Sequence, residues 1–191
     1  MFTGIVAEQL TIQRIEHTAA GVAVSFSLPT WGTLVTGESV LVHGICSTVV
    51  TITPQGFTVE YMPETIQRTT VGQWTVGQII HAEPSVTPTT KLSGSFVSGH
   101  IDVVLPVAGT HPLRFAIPEE YRGYVFSKGS ITVNGVNLTI AEYQNNHITI
   151  QLIPETKSRT SLGSLRVGDH VNVEFDYIAK AVVAALAVRP A

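Results

Sequence analysis

Charge, cysteine and long apolar runs are all scarce in this chain. Charged residues make up 13% of its 191 residues, about half the usual share, and the net charge is −3. No basic run occurs, which argues against nucleic-acid binding because that function needs a positive surface. The one cysteine, Cys46, excludes an intrachain disulfide, and no apolar stretch approaches the roughly 18 residues of a membrane span. We therefore expect a soluble protein with no nucleic-acid or membrane partner.

Signals for export, metals and nucleotides are missing as well. The N-terminus lacks the basic region and apolar run of a signal peptide, and a single cysteine suits a reducing compartment, so we expect a cytoplasmic protein. The seven histidines are scattered without a ligand spacing, which predicts no metal site. No nucleotide-binding loop or hydrolase elbow is present.

What the chain does contain is an internal repeat. Residues 38–83 align with residues 129–174 at a constant offset of 91, with no gap and 14 identities in 46 positions. The motif Pro63-Glu64-Thr65 returns as Pro154-Glu155-Thr156, for example. Glycine, proline and charged positions do not recur in register by composition alone. The repeat predicts two similar units of about 90 residues, with two similar ligand sites.

Short β-branched runs separated by Gly, Pro, Asn or Ser dominate both units. Phe57–Met62 resumes a strand after the turn at residues 54–56, and Asn134-Gly135 is a strong hairpin signal. Many strands at a spacing of roughly 8–12 residues are typical of an all-β sandwich or barrel. Single helical turns are predicted at Glu64–Thr70 and Glu155–Ser161.

The one convincing helix lies at the C-terminus. Residues 177–188 are rich in alanine, contain no Gly or Pro, and stop before Pro190. A helix that is apolar on most sides is expected to be buried, and at the end of a chain the expected partner is another subunit. With a linker at Pro84–Thr90, the predicted domains are residues 1–90, residues 91–176 and the C-terminal helix at 177–191.

Two residues suggest chemistry. Cys46 lies near Gly44 at a strand edge, where it is either a small buried hydrophobe, the commoner role, or a polarizable or nucleophilic group lining a pocket. His100 follows Gly99, a residue type that lets the backbone approach a ligand closely. His100 is therefore either a general acid or base near neutral pH or a surface histidine in a turn.

Over essentially its whole length the chain resembles the trimeric α-type riboflavin synthase family. The resemblance rests on several motifs in the same order in both halves. In the first half these are Met1–Val6, Met62–Thr65, Arg68–Thr70 and Phe96–Asp102, and in the second half Lys128–Ile131, Asn134–Thr139, Leu152–Thr156 and Gly168–Glu174.

The resemblance implies a fold and a reaction. The expected fold is all-β, with two similar six-stranded Greek-key barrels and a C-terminal helix that joins three chains. Each barrel would hold one 6,7-dimethyl-8-ribityllumazine, and one molecule would donate a four-carbon unit to the other, giving riboflavin and 5-amino-6-ribitylaminouracil without a cofactor or metal. The working site would lie between the first barrel of one subunit and the second barrel of its neighbour. Some members occupy a lumazine synthase shell, which makes lumazine synthase a candidate partner.

The resemblance also assigns site residues. One pocket would use Gly4, Ile5, Val6, Cys46, Ser47, Thr48, Glu60, Tyr61, Met62, Pro63, Glu64, Thr65, Gly99, His100 and Ile101. The other pocket would use Lys128, Asn137, Leu138, Thr139, Ile153, Pro154, Glu155, Thr156, Lys157 and Ser158. For catalysis, Ser39 or Cys46, or a water that they hold, would add to the donor lumazine. His100 would move protons at the methyl group, and Asp176 would assist from the opposite side.

Departures from the family pattern are concentrated in the first unit. His43 stands where Asn is usual, Ser47 where Leu is usual, and Ser95 where His is usual, while Gln78 and His81 replace an Asp and an Asn. In the second unit, Asn137 replaces a Ser. Several of these positions touch the expected pockets, so they bear on activity and ligand affinity more than on the fold.

Two other functions compete with the enzyme. The first is a non-catalytic lumazine or flavin carrier, because lumazine proteins share the fold and tend to lack equivalents of the catalytic pair. The second is a structural protein built on a decayed duplicate that binds no lumazine. The presence of Cys46 and His100 favours the enzyme, and the intact motifs of the second half argue against a decayed duplicate.

Overall fold

The first half of the chain forms a closed barrel. The computed structural model describes residues 1–187. The barrel strands are β1 (Glu8–Thr18), β2 (Gly21–Ser27), β3 (Ser39–Val42), β4 (Ile45–Thr53), β5 (Gly56–Tyr61) and β6 (Ile79–Pro84). They are hydrogen-bonded in the order β1-β2-β5-β4-β3-β6, and β1 also pairs with β6. Buried residues alternate along β2, as expected for strands with one face on a core.

The second half repeats this arrangement with one interruption. Its strands are β7 (Val103–Pro106), β8 (Gly109–Thr110), β9 (Leu113–Ala116), β10 (Ser130–Val133), β11 (Val136–Gln144), β12 (His147–Ile150) and β13 (His170–Phe175). They form one curled sheet in the order β7-β13-β10-β11-β12-β9-β8. Because β7 pairs with β13 and β8 with β9, these two short strands together take the place of β1. The predicted all-β fold with two similar barrels is confirmed, and the seventh strand arises from this break.

The helices are few and short. The predicted turns are confirmed as α1 (Pro63–Arg68) and α2 (Pro154–Arg159), each followed by a 3₁₀ turn. The C-terminal helix, α3, is confirmed over Tyr177–Ala187, and Val188 lies outside the described residues. No residue of α3 is buried in the single chain, and its exposed apolar side chains include Tyr177, Ile178, Val182 and Leu186. Within residues 1–187 no helix has the length and apolar character needed to cross a membrane.

The two barrels exchange the short segments that lead into them. Val6 precedes β1 but packs in the core of the second barrel, and Ile101 precedes β7 but packs against the core of the first. Where these leader segments (residues 2–6 and 97–101) cross, Phe2 and Val97 form an antiparallel bridge with N–H to oxygen distances of 2.8 and 3.0 Å. Each barrel is therefore completed by residues from the other half's leader.

Candidate functional site

A pocket of about 310 Å³ lies where the first barrel meets the leader segment 97–101. It is lined by Ile45, Cys46, Ser47, Thr48, Val50, Glu60, Tyr61, Met62, Glu64, Thr65, Arg68, Thr69, Gly99, His100 and Ile101. We call it the first pocket. The residues predicted from β4, β5 and residues 99–101 all contribute, whereas Pro63 is not part of the lining. Prediction missed Ile45, Val50, Arg68 and Thr69, although the recurrence of Arg68-Thr69 in the repeat was an available signal.

The leader segment brings His100 and Cys46 into this pocket together. The backbone N–H of Cys46 donates to the carbonyl oxygen of Gly99 at 2.8 Å. Gly99 has φ +79°, and a Cβ there would lie 2.7 Å from the Cβ of Cys46, so only glycine fits. Cys46 is half-buried and packs against the small cluster formed by Phe2, Leu41 and Val97. His100, the next residue in the chain after Gly99, is exposed.

The second barrel has an equivalent contact, made by the first leader segment. The N–H of Asn137, the repeat equivalent of Cys46, donates to the carbonyl oxygen of Gly4 at 2.8 Å. Gly4 has φ +75°, and a Cβ would lie 2.6 Å from the Cβ of Asn137. The prediction that groups Gly4, Ile5 and Val6 with Cys46 is therefore wrong, because the leader segments cross between the barrels.

Around Asn137 the predicted second set forms an open surface in the single chain. Ile153 is 60% exposed, and Thr139, Pro154, Glu155 and Ser158 are exposed as well, while Leu138 is buried and Thr156 half-buried. Ile5, which was predicted for the other pocket, follows Gly4 and is 47% exposed. Within residues 1–187, the Oδ1 atom of Asn137 is buried without a hydrogen-bond partner.

Lys128 and Lys157 lie at the edge of this second site. Lys157 lines a neighbouring cavity of about 220 Å³ with Leu152 and Gln151. Lys128 is exposed, and its backbone N–H donates to the carbonyl oxygen of Ile140 at 2.8 Å, which holds it beside the end of the predicted Asn137–Thr139 segment.

Two residues predicted to act in catalysis do not line the first pocket. Ser39 lies on β3, opposite Thr48 of β4, and so sits beside the pocket wall. Asp176 caps α3, since its Oδ1 accepts from the N–H of Ala179 at 2.9 Å. In the single chain, Asp176 therefore has a structural contact.

The floor of the first pocket contains a buried hydroxyl pair. Ser47 Oγ donates to the carbonyl oxygen of Ile45 at 3.0 Å, so Tyr61 Oη, 2.9 Å away, is left to donate to Ser47. Burial raises the pKa of Tyr61, which keeps it a neutral donor. The repeat equivalents are Leu138 and Leu152, so the two sites differ in polarity.

A buried histidine joins the barrels away from the first pocket. His81 donates from Nδ1 to the carbonyl oxygen of Asn134 at 2.9 Å, because that oxygen can only accept. Its Nε2 then accepts from the N–H of Ser161 at 2.8 Å. Burial lowers the pKa of His81, in agreement with a neutral ring.

The repeat equivalent of His81 is Asn172, and its side-chain amide makes the equivalent contacts with the first half of the chain. Asn172 Nδ2 donates to the carbonyl oxygen of His43 at 3.0 Å, and its Oδ1 accepts from the N–H of Thr70 at 2.8 Å. The rings of His43 and His81 have centroids 5.0 Å apart. Burial, and then the neighbouring His81, place the pKa of His43 well below its usual value.

Both halves of the chain match the family model of the lumazine binding domain, at residues 3–84 and 98–176. The chain belongs to this lumazine-binding family. Similar curated proteins include riboflavin synthases from Photobacterium phosphoreum (33% identity over 188 residues, 94% of this chain and 86% of the relative) and Mycobacterium bovis (34% over 197 residues, 95% and 96%). That of Bacillus amyloliquefaciens is 36% identical over 188 residues, covering 94% of this chain and 87% of the relative.

Solved structures of lumazine-binding proteins are similar too. LumP complexed with 6,7-dimethyl-8-(1'-D-ribityl) lumazine superposes with a TM-score of 0.80 at 25% identity, and LumP complexed with riboflavin with 0.82 at 26%. Both alignments cover 92% of this chain and 99% of the LumP chain. Together, the comparisons confirm the predicted family and support an enzyme of the riboflavin synthase type.

Proposed function

We propose that the protein catalyses the dismutation of two 6,7-dimethyl-8-ribityllumazine molecules into riboflavin and 5-amino-6-ribitylaminouracil. The observation that carries this proposal is the meeting of Cys46 and His100 in the first pocket, held by the 2.8 Å hydrogen bond from Cys46 N–H to the Gly99 carbonyl oxygen. The two products contain all the atoms of two substrate molecules. The reaction therefore needs no oxidant, reductant or cofactor.

The duplicated architecture supports a reaction between two copies of one molecule. The first pocket would hold one lumazine and the surface around Asn137 the other. Holding both reactants in fixed positions converts a bimolecular step into an effectively unimolecular one. The exposed position of Ile5 and Ile153 suits a site that closes against another subunit.

The same reasoning supports a homotrimer built through α3. Val182 and Leu186 are each more than half exposed on a helix with no buried residue in the single chain. Covering these side chains stabilises an assembly by roughly 25 cal/mol for each Å² of apolar surface removed from water. Asp176, which caps α3, would then reach a neighbouring subunit's site through the assembly rather than within its own chain.

Residue roles follow from position. His100 is exposed at the rim of the first pocket, where it would exchange protons with the methyl group of the bound lumazine. Cys46, or a water held with Ser39 on the neighbouring strand, would add to the donor molecule.

The alternative function is a non-catalytic lumazine or flavin carrier. It is favoured by the similarity to LumP and by the change of the usual Leu to Ser47 in the first pocket. A carrier needs the pockets but not the proton chemistry, so the two functions differ in what happens to bound lumazine.

The deciding experiment mixes the purified protein with 6,7-dimethyl-8-ribityllumazine alone and follows both compounds by absorbance. The enzyme predicts riboflavin appearing at half the rate of lumazine loss, and His100→Ala should lower this rate by about 10²–10⁴-fold. His17→Ala, an exposed histidine at the end of β1, serves as the matched control. Lumazine that stays bound and unchanged would establish the carrier instead.

A further inference from the structure

A buried carboxylate on β13 binds the leader segment that carries His100. Glu174 is 1% exposed. Its Oε1 accepts from the N–H and the Oγ–H of Ser98 at 2.8 and 2.6 Å, and its Oε2 accepts from the N–H of Gly99 at 2.8 Å. Three short hydrogen bonds to one carboxylate fix both the position and the direction of this segment.

The repeat provides the same arrangement in the other half. Glu83, at the offset of 91, is 5% exposed. Its Oε1 accepts from the N–H and Oγ1–H of Thr3, both at 2.7 Å, and its Oε2 accepts from the N–H of Gly4 at 2.9 Å. Burial raises the pKa of Glu83, and the donors on Thr3 and Gly4 oppose that rise.

Each carboxylate acts on a glycine that would otherwise be free to turn. Gly99 and Gly4 both adopt positive φ. The carbonyl oxygen of Gly99 accepts a hydrogen bond from the backbone N–H of Cys46, and that of Gly4 accepts one from the backbone N–H of Asn137, in each case across to the opposite barrel. The residue after the glycine then points to that barrel's site. In the second leader segment this residue is His100, and in the first it is Ile5.

We propose that Glu174 is a positioning residue that holds His100 in the first pocket, and that Glu83 holds Ile5 at the second site in the same way. The inference rests on the proposed function for the role of His100 in proton transfer. The glutamates themselves touch no substrate, since their oxygens are occupied by the leader segments.

The two glutamates are both buried and accept the same three kinds of hydrogen bond, so a variant of one serves as the control for the same variant of the other. Glu174→Gln and Glu83→Gln both remove one acceptor oxygen and turn it into an amide that faces a backbone N–H. A general loss of barrel stability would therefore appear in both variants. Only Glu174→Gln would alter the histidine.

Kinetics over a range of pH separate positioning from stability. We expect Glu174→Gln to lower kcat at least tenfold and to remove the limb of the pH profile that His100→Ala also removes. The double variant should be no slower than His100→Ala alone, because both changes remove one function. Glu83→Gln should keep that limb and change KM, since it disturbs apolar contacts with the other substrate. Ser98→Ala, which deletes one of the three donors and leaves the carboxylate intact, should give a smaller effect of the same kind.

A second measurement does not depend on turnover. The imidazole ¹⁵N signals of His100, assigned by comparison with His100→Ala, should shift in Glu174→Gln and Ser98→Ala but not in Glu83→Gln. Unchanged His100 signals together with a wild-type pH profile would overturn the positioning role, as would effects that simply add in the double variant. If the wild-type protein fails to turn over lumazine, the proposed function is wrong, and the ¹⁵N signals still decide the positioning of His100.

Discussion

The junction between the barrels makes stability depend on pH in a defined direction. His81 and His43 are buried with lowered pKa values, whereas an unfolded histidine titrates near 6.5. Below that pH the unfolded chain binds more protons than the folded one at these two positions. Their contribution to stability is therefore fully present above about pH 6.5 and is lost as the pH falls from there towards the folded pKa values.

The magnitude follows from the linkage relation. Each histidine that is protonated only in the unfolded state lowers the free energy of unfolding by up to about 1.4 kcal/mol per pH unit, so the pair lowers it by up to about 2.8 kcal/mol per unit. The structural reason is clearest for His81. A protonated Nε2 would face the N–H of Ser161, which leaves two donors opposed in a buried site.

The assay is urea unfolding at several pH values between 5 and 8, for wild type and for the His43→Asn/His81→Asn double variant. Asparagine is the residue at both repeat equivalents, Asn134 and Asn172, so the variant restores contacts that the chain already uses. The other histidines are exposed or half-buried and remain present in both proteins. Below pH 6.5, we expect the free energy of unfolding to fall steeply in the wild type but not in the variant. Parallel stability curves for the two proteins would refute the reasoning.

Four further predictions concern single positions. Gly99→Ala places a side chain at φ +79° and 2.7 Å from the Cβ of Cys46; it should cost at least about 1–2 kcal/mol in urea unfolding, and a wild-type midpoint would contradict it. Phe115→Ala, in the fully buried core of the second barrel, should lower the free energy of unfolding by about 3–5 kcal/mol, and a cost below 1 kcal/mol would contradict that packing. Tyr61→Phe removes only the donor to Ser47, so circular dichroism melts should report a loss of about 0.5–1.5 kcal/mol rather than a gain. Val182→Glu places a charge on the exposed apolar face of α3; if the wild type forms the proposed trimer, sedimentation should detect single chains of the variant, and a variant that remains a trimer would argue against that interface.

The fold was predictable because its signals are local or repeated. The turn at Asn134-Gly135, the spacing of the β-branched runs and the gapless repeat all constrain β10, β11 and their equivalents in the first barrel. The break between β7 and β8 was not predicted, although Pro106 and Gly109 flank it and both residue types interrupt strands.

The candidate site was predictable in membership but not in arrangement. Eleven of the fifteen residues predicted for the first pocket line it, since strand ends and the turn before α1 are fixed by the local sequence. The crossing of the leader segments depends on contacts between residues about 80 and 130 positions apart, such as Thr3 with Glu83 and Gly4 with Asn137. No local pattern encodes such pairings. For Asp176, its place just before a long apolar helix was a readable sign of a helix cap.

The exchange of leader segments also sets the rules for recombining this chain with its relatives. A fusion joint placed in the connection after β6 would take the first barrel from one parent while leaving residues 97–101, which complete that barrel, to the other parent. Conversely, the transferred piece would carry residues 2–6, which fit the barrel left behind. A working chimera must therefore move each barrel together with the segment that completes it, which takes two joints, near residues 7 and 102, in place of one joint after β6.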